Sequence, residues 1–271
     1  MRLKSVVAAG LFLIVAYQIP ARAEETQSAS VVQSTPAEVS PIKKFFQDGA
    51  SIVTSPLRLT SSDIPVVLGV TAFFGGAVAL DKTTHDNLFP FVTSGSADTL
   101  RRFGDIAQYS GPIFGAVFAT QGWATDNPES KKTAYLAFES FLWAGAIELS
   151  GKVIIGRNRP TVTTNPFTFR PGQTDGSFPS GHTTEAFAAA TVFAEQYPRW
   201  EVVVPVYAAA SAVAFSRLYA NQHWGSDVVA GGLLGYGVSH LLRKLYNRPN
   251  SDWRVDVDDH GITLAKKFGG S

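Results

Sequence analysis

The chain has 271 residues, a formal net charge of +1, 45% hydrophobic and 17% charged residues, and a mean hydropathy of +0.06. It is long enough to bury a substantial core, and so balanced a charge argues against nucleic acid as a partner. With no cysteine, neither a disulfide framework nor a thiolate metal site is available.

Residues 1–23 read as an export signal. Arg2 and Lys4 precede an apolar run from Val6 to Ile19, and Ala21-Arg22-Ala23 is a small-x-small cleavage pattern. Cleavage there removes three cations and no acid, leaving net −2 for the remainder. Residues 24–42 are rich in Ser, Thr, Ala, Pro, Glu and Gln with no apolar period, and are expected to form a disordered leader. The stretch from Lys43-Lys44-Phe45-Phe46 to Leu59 is basic and aromatic. Two readings stay open for it: a segment lying on an anionic membrane surface, or a helix packed on the domain with its lysines in water.

A helical domain is expected over residues 43–246. Its segments Ile64–Leu80, Ile106–Thr125, Thr133–Ile155, Thr183–Tyr197, Val202–Leu218 and Ser226–Tyr246 are apolar all round rather than alternating, which favours helix over strand. Asp126 to Ser130 reads as a loop, and Pro198-Arg199 ends the fourth segment. A bilayer span needs about 20 apolar residues, and Ile106–Thr125 is the segment that clearly reaches it. A compact, membrane-associated helical domain is therefore favoured over a six-span protein. Gly231, Gly232, Gly235 and Gly237 should let a neighbouring helix approach the last segment closely. In the tail, residues 247–271, alternation from Trp253 and a turn at Asp259-His260-Gly261 suggest a hairpin. The fold class expected is thus all-α: a bundle of about six helices with the active site in loops at one end, plus a small C-terminal β-hairpin.

Three polar clusters interrupt the apolar runs. The first runs from Lys152 to Arg159-Pro160; the residues are two helical turns apart, but Pro160 biases Arg159 onto the following loop. The long loop from Pro160 to Phe178 is of a length usually kept for function. In the second cluster, Pro179-Ser180-Gly181-His182 directly precedes a helix, whose free N–H groups suit an anion; Ser180 also reads as a plain N-cap. The third holds Ser216-Arg217 and His223, with Asp227 four residues on, where a carboxylate can take the imidazole proton and free the other ring nitrogen. One Lys, two Arg, two His and an Asp suit a phosphoryl group. Trp224 and Arg157 read as packing and solvated charge, and His85, His240 and His260 receive no role.

Lys-x6-Arg-Pro, Pro-Ser-Gly-His and Ser-Arg-x5-His-x3-Asp, in that order, resemble the three motifs of the type 2 phosphatidic acid phosphatase (PAP2) superfamily, which includes bacterial acid phosphatases and vanadium haloperoxidases. The resemblance implies a metal-independent phosphatase without cofactor. In it His223 attacks phosphorus to form a phosphohistidine, Asp227 orients His223, and His182 acts as acid and then base. Lys152, Arg159, Ser180, Gly181 and Arg217 would hold the phosphoryl oxygens. The substrate expected is a phosphomonoester or diphosphate, favouring a lipid such as phosphatidic acid or a prenyl diphosphate, met at a membrane surface. The location expected is periplasmic, or the inner membrane with the site facing the periplasm. A broad-specificity soluble acid phosphatase is the alternative, since Gly176-Ser177-Phe178-Pro179 onward resembles that group's signature. A haloperoxidase, usually a much longer chain, and a non-catalytic helical protein rank behind both.

Overall fold

The computed structural model describes residues 41–88, 94–247, 253–258 and 261–266, all within one unit, Ser40–Ser271. The export signal and nearly all of the leader lie outside the described residues, as do Asp259 and His260 of the expected turn.

Helix α1, Pro41–Val53, starts inside the stretch expected to be leader. It packs on the domain: Phe45 stacks on Trp143 at 5.1 Å between centroids, and Ile52 and Asp48 are buried. Lys44 is not simply in water but pairs with Asp48 one turn on. Two short 3-10 turns then lead into α2, Ile64–Leu88, which runs a further two turns past the expected end.

Next comes α3, Ser94–Ala107, which the sequence reading missed, followed by α4, Ser110–Ala124. The expected single helix from Ile106 is therefore broken at Gln108-Tyr109. Pro112 supplies the reason. In a continuous helix its ring would strike the carbonyl of Gln108, whereas in the first turn of a new helix its missing N–H has no consequence. Ile106–Thr125 thus lacks the length for a span; among the described residues, the helical stretches long and apolar enough to cross a membrane are Ser61–Leu88 and Trp200–Tyr219.

Helix α5, Pro128–Ile155, is capped by the Asn127 side chain, which accepts from Ser130 N–H at 3.1 Å, and has Pro128 at its first position. It absorbs the Glu129-Ser130 part of the expected loop. Then come α6, Gly181–Gln196, α7, Trp200–Tyr219, and α8, Gly225–Tyr246. The tail forms an antiparallel pair, β1 Trp253–Asp258 with β2 Gly261–Lys266, Trp253 opposite Lys266. The class is all-α with a hairpin, with eight α-helices among the described residues rather than about six.

α6 is the axis of the core. Its Ala188 and Val192 meet Leu136, Ala144, Val238 and Leu242; Ala189 and Phe193 meet Phe118 and Ala134; Ala186 and Ala190 meet Ala210 and Val213. An alanine-rich helix permits such crowding because no side chain holds the neighbours away. Two of the four expected glycines serve this: a Cβ on Gly231 would lie 2.6 Å from the Ser180 carbonyl, and one on Gly235 would strike the Thr184 carbonyl. Gly232 makes ordinary contact with Phe187 and Gly237 faces open space.

Because α5 to α8 alternate in direction, the C-termini of α5 and α7 and the N-termini of α6 and α8 share one end. The three polar clusters occupy those termini, so the expected placement in loops at one end agrees with the structure.

Candidate active site

Helix α5 stops at Gly156, whose φ of +56 lies in the left-handed region glycine favours. The turn sends Arg157 to Pro160 out of the helix, with Lys152 left in its last turn. Arg159 sits on the loop, as Pro160 implied. Its Nε donates to the Asp175 carbonyl at 3.0 Å, and its Nη1 to the Gln222 carbonyl at 3.1 Å and to His223 Nε2 at 3.3 Å. Lys152 pairs with Glu148 one turn back.

Ser180 occupies the N-cap position of α6 without capping the backbone through its side chain. Its hydroxyl bonds Thr183 Oγ1 at 3.0 Å, and its N–H donates to the Asp227 carbonyl at 3.0 Å, tying the second cluster to the third. Gly181 lies so close to Glu148 that a Cβ would fall 2.7 Å from Oε1.

His223 is buried. Its Nδ1 lies 2.8 Å from the Ser177 carbonyl, while Asp227 Oδ2 is 3.7 Å away. A carbonyl only accepts, so Nδ1 carries the proton and Nε2 presents its lone pair towards Arg159. The expectation that Asp227 takes the imidazole proton is therefore corrected: Ser177 takes it, and Asp227 acts on the ring as a nearby charge. The two Asp227 oxygens are otherwise engaged, Oδ2 by the Trp224 N–H at 2.8 Å and Oδ1 by Arg157 Nη1 at 2.8 Å.

Arg157 is the second correction. Expected as a solvated charge, it is 4% exposed and lies between two carboxylates, Asp81 and Asp227. Trp224 is packing as expected, 1% exposed with its Nε1–H on the Asn158 carbonyl at 2.9 Å.

Arg217 and His182 meet through a residue that sequence reasoning did not single out. Asp105 on α3 places Oδ1 2.8 Å from Arg217 Nη1 and 3.0 Å from His182 Nε2. Arg217 Nη2 also donates to the Arg101 carbonyl. Asp81, Asp105, Ser177 and Ser226 were all missed. Asp81 follows a long uncharged run and reads as its end, and nothing in the sequence marks Asp105.

Burial, then the charges of Arg217 and His223, push His182 down to about 4 against an opposing pull from Asp105. Burial also holds His223 below its ordinary value, with Asp227 opposing. Burial raises Asp227, but His223, Arg157 and the Trp224 N–H outweigh it and hold the carboxyl below its usual range. Two imidazoles whose burial disfavours the charged form stand beside cations and two helix N-termini, an arrangement that suits an anion.

A family model described as the PAP2 superfamily matches residues 133–251. The lipid A 1-phosphatase of Porphyromonas gingivalis is 38% identical over 108 residues, 36% of this chain and 22% of that protein. The undecaprenyl-diphosphatase of Sulfolobus acidocaldarius is 34% identical over 103 residues, 38% of this chain and 50% of that protein. The non-specific acid phosphatase of Salmonella typhi is 30% identical over 172 residues, 60% of this chain and 65% of that protein. The chain thus spans less than two thirds of each of these relatives. A solved structure, the transmembrane PAP2 type phosphatidylglycerolphosphate phosphatase of Bacillus subtilis, aligns with a TM-score of 0.48 at 16% identity over 66% of this chain and 94% of that one.

Proposed function

We propose, from the match of residues 133–251 to the PAP2 superfamily model, that the protein is a phosphatase acting on a phosphorylated lipid through a phosphohistidine. The observation that carries the reading is the state of His223. Its proton is held on Nδ1 by the Ser177 carbonyl, and Nε2 faces the Arg159 guanidinium at 3.3 Å.

In the first step Nε2 attacks phosphorus, the bond to the leaving oxygen breaks, and His182 supplies that oxygen's proton. In the second, water attacks phosphorus, His182 takes its proton, and the N–P bond breaks to release phosphate. Lys152, Arg159, Arg217, the Ser180 hydroxyl and the Gly181 N–H hold the phosphoryl oxygens, and Asp227 balances the charge on the phosphorylated ring. A phosphate dianion also favours protonated His182, offsetting the burial that keeps it neutral in the free enzyme. The proposed chemistry needs no metal, because these cations neutralise the phosphoryl charge. Among the described residues no three His, Asp or Glu gather where they could hold an ion.

Three features support a lipid. Helix α2 leaves Leu68 64% and Phe73 63% exposed, an apolar face suited to a bilayer. A narrow cleft lined by Asp81, Thr84, His85, Leu88, Leu218 and Asn221 lies between α2 and His223. Two of the relatives are named for lipid A and undecaprenyl diphosphate. The export-signal pattern at the start of the sequence supports a site facing the periplasm. The second reading, a broad acid phosphatase, is favoured by the 172-residue match to the Salmonella enzyme. Purified protein given phosphatidic acid, a prenyl diphosphate and p-nitrophenyl phosphate side by side tests both. We expect the highest kcat/KM on a lipid; equal values on all three select the second reading, and no hydrolysis of any overturns the proposal.

A further inference from the structure

Asp81 is the buried residue of α2, 0% exposed on a helix whose other side chains are largely bare. Its Oδ1 accepts the Ser226 N–H at 2.7 Å, and its Oδ2 accepts the Ser226 hydroxyl at 2.6 Å and Arg157 Nη2 at 2.7 Å. Arg157 makes three further bonds nearby: Nη1 goes to Ser226 Oγ at 2.7 Å and Asp227 Oδ1 at 2.8 Å, and Nε to the Pro166 carbonyl at 2.8 Å. Asp81 also lines the cleft beside α2 that reaches His223, and its bonds, with those of Arg157 to Ser226 and Asp227, converge on the turn that carries His223 and Asp227.

The charges explain why such a cluster is kept. Were Arg157 paired with Asp227 alone, it would cancel the carboxylate beside His223. With Asp81 on its other edge, the guanidinium is shared between two carboxylates and the cluster keeps one net negative charge. That charge lies beneath Nδ1, on the ring that turns positive when Nε2 is protonated or phosphorylated. Burial strengthens the effect, because little solvent intervenes to screen it.

We propose that Asp81 is a positioning residue for the nucleophile: by sharing Arg157 with Asp227 it keeps a net negative charge under His223 and fixes the turn that presents it. The consequence for catalysis rests on the phosphatase reading, but the effect on His223 does not.

The test is a charge ladder in the full-length protein, with the titration of His223 followed by NMR on labelled histidine and assigned through His223→Ala. Asp81→Asn leaves the cluster neutral, and the His223 pKa should fall by about one unit. Arg157→Gln leaves two negative charges, and it should rise by about as much. Asp81→Asn combined with Arg157→Gln restores the net charge of the native cluster, so the titration should return near its native position although every hydrogen bond of Arg157 is gone. The other charges around the ring stay constant through the series: Asp227 on α8, Arg159 on its loop, Lys152 on α5, His182 on α6 and His85 on α2. In turnover, Asp81→Asn should lower kcat at least tenfold with KM within twofold, and Asp81→Glu should recover part of it. A purely structural role predicts instead that the double variant is the worst of the three, and that result, or a His223 titration indifferent to Asp81→Asn, overturns the proposal. Should Asp81→Asn fail to fold, Arg157→Gln decides alone: no rise in the His223 pKa overturns it. Normal titrations in a protein without phosphatase activity would leave this inference standing and remove the reading of function.

Discussion

His182 and Arg217 share one carboxylate oxygen: Asp105 Oδ1 stands 3.0 Å from the imidazole and 2.8 Å from the guanidinium. Both side chains are assigned to the substrate in the proposed mechanism, in which Asp105 would hold the place of an anion until one arrives. Burial would raise this carboxyl, yet Arg217 and His182 together keep it below its usual range.

Asp105→Asn should therefore tighten binding of phosphate or vanadate, by about tenfold for one charge-assisted contact no longer contested. It should also move the basic limb of kcat/KM. Asp105 raises the pKa of His182, so its loss lowers that pKa and the protonated acid disappears at lower pH. Inhibition constants and a pH profile check both; weaker anion binding, or a basic limb moved upward, contradicts them.

The two histidines should separate by labelling. His223→Ala is expected to abolish turnover and leave no labelled enzyme with any substrate. His182→Ala should lose more on an alkyl phosphate than on p-nitrophenyl phosphate, whose leaving group needs little protonation; general acid help is worth about 10² to 10⁴ in rate. Phosphoenzyme should accumulate in that variant and be trapped as acid-labile label, because the second step lacks its base. Label on His223→Ala would show the roles to be reversed.

Activity should persist in excess EDTA and be inhibited by vanadate, which mimics a five-coordinate phosphoryl group among the same cations. Loss on chelation with recovery on adding a divalent metal would rule out the mechanism. Bromide oxidation dependent on vanadate and peroxide would promote the haloperoxidase reading.

Acid should unfold the protein earlier than its carboxylates alone require. The folded-state value of His182, about 4, lies below the ordinary value of 6.5. The folded state therefore disfavours the proton, so this contribution is whole above about pH 6.5, shrinks as the pH falls, and is gone near pH 4. Tm measured from pH 7.5 to 5 should drop, less steeply in His182→Gln, and phosphate should recover more of it at pH 5 than at pH 7.5. A Tm independent of phosphate at pH 5 counts against an anion held by His182.

Gly235→Ala should lower stability by about 1–3 kcal/mol, because the new methyl meets the Thr184 carbonyl, part of the rigid backbone of α6. Gly237→Ala on the same helix, facing open space, is the control. Equal urea midpoints for the two variants would refute close packing of α6 on α8.

The helices legible in the sequence were those with long uncharged runs, and their ends were legible where Pro160 or Pro198 punctuates the chain. α3 escaped because Asp98, Arg101, Arg102 and Asp105 give it the polarity of a loop. The motif residues stood out by spacing, and the structure places Arg159 3.3 Å and Asp227 3.7 Å from the His223 ring. Their partners did not stand out. Asp81 and Asp105 lie far from the motifs in sequence, and Arg157 has within its motif no more signal than any exposed arginine. What assigns them is burial and distance, neither of which one sequence displays. Ser177 acts through its carbonyl, which no side-chain motif records.

The segment recognised by family, residues 133–251, carries every motif residue but neither Asp81 nor Asp105. A fragment cut to those limits would leave Arg157 with Asp227 alone and Arg217 without Asp105, and breaking a buried ion pair by removing one partner costs several kcal/mol. Homology alone would place the boundary of an autonomous unit about seventy residues too late, beyond two helices that donate a carboxylate each. The smallest portable version of this site begins no later than α2, and any chimera grafting the motifs onto another bundle must import those two acids with them.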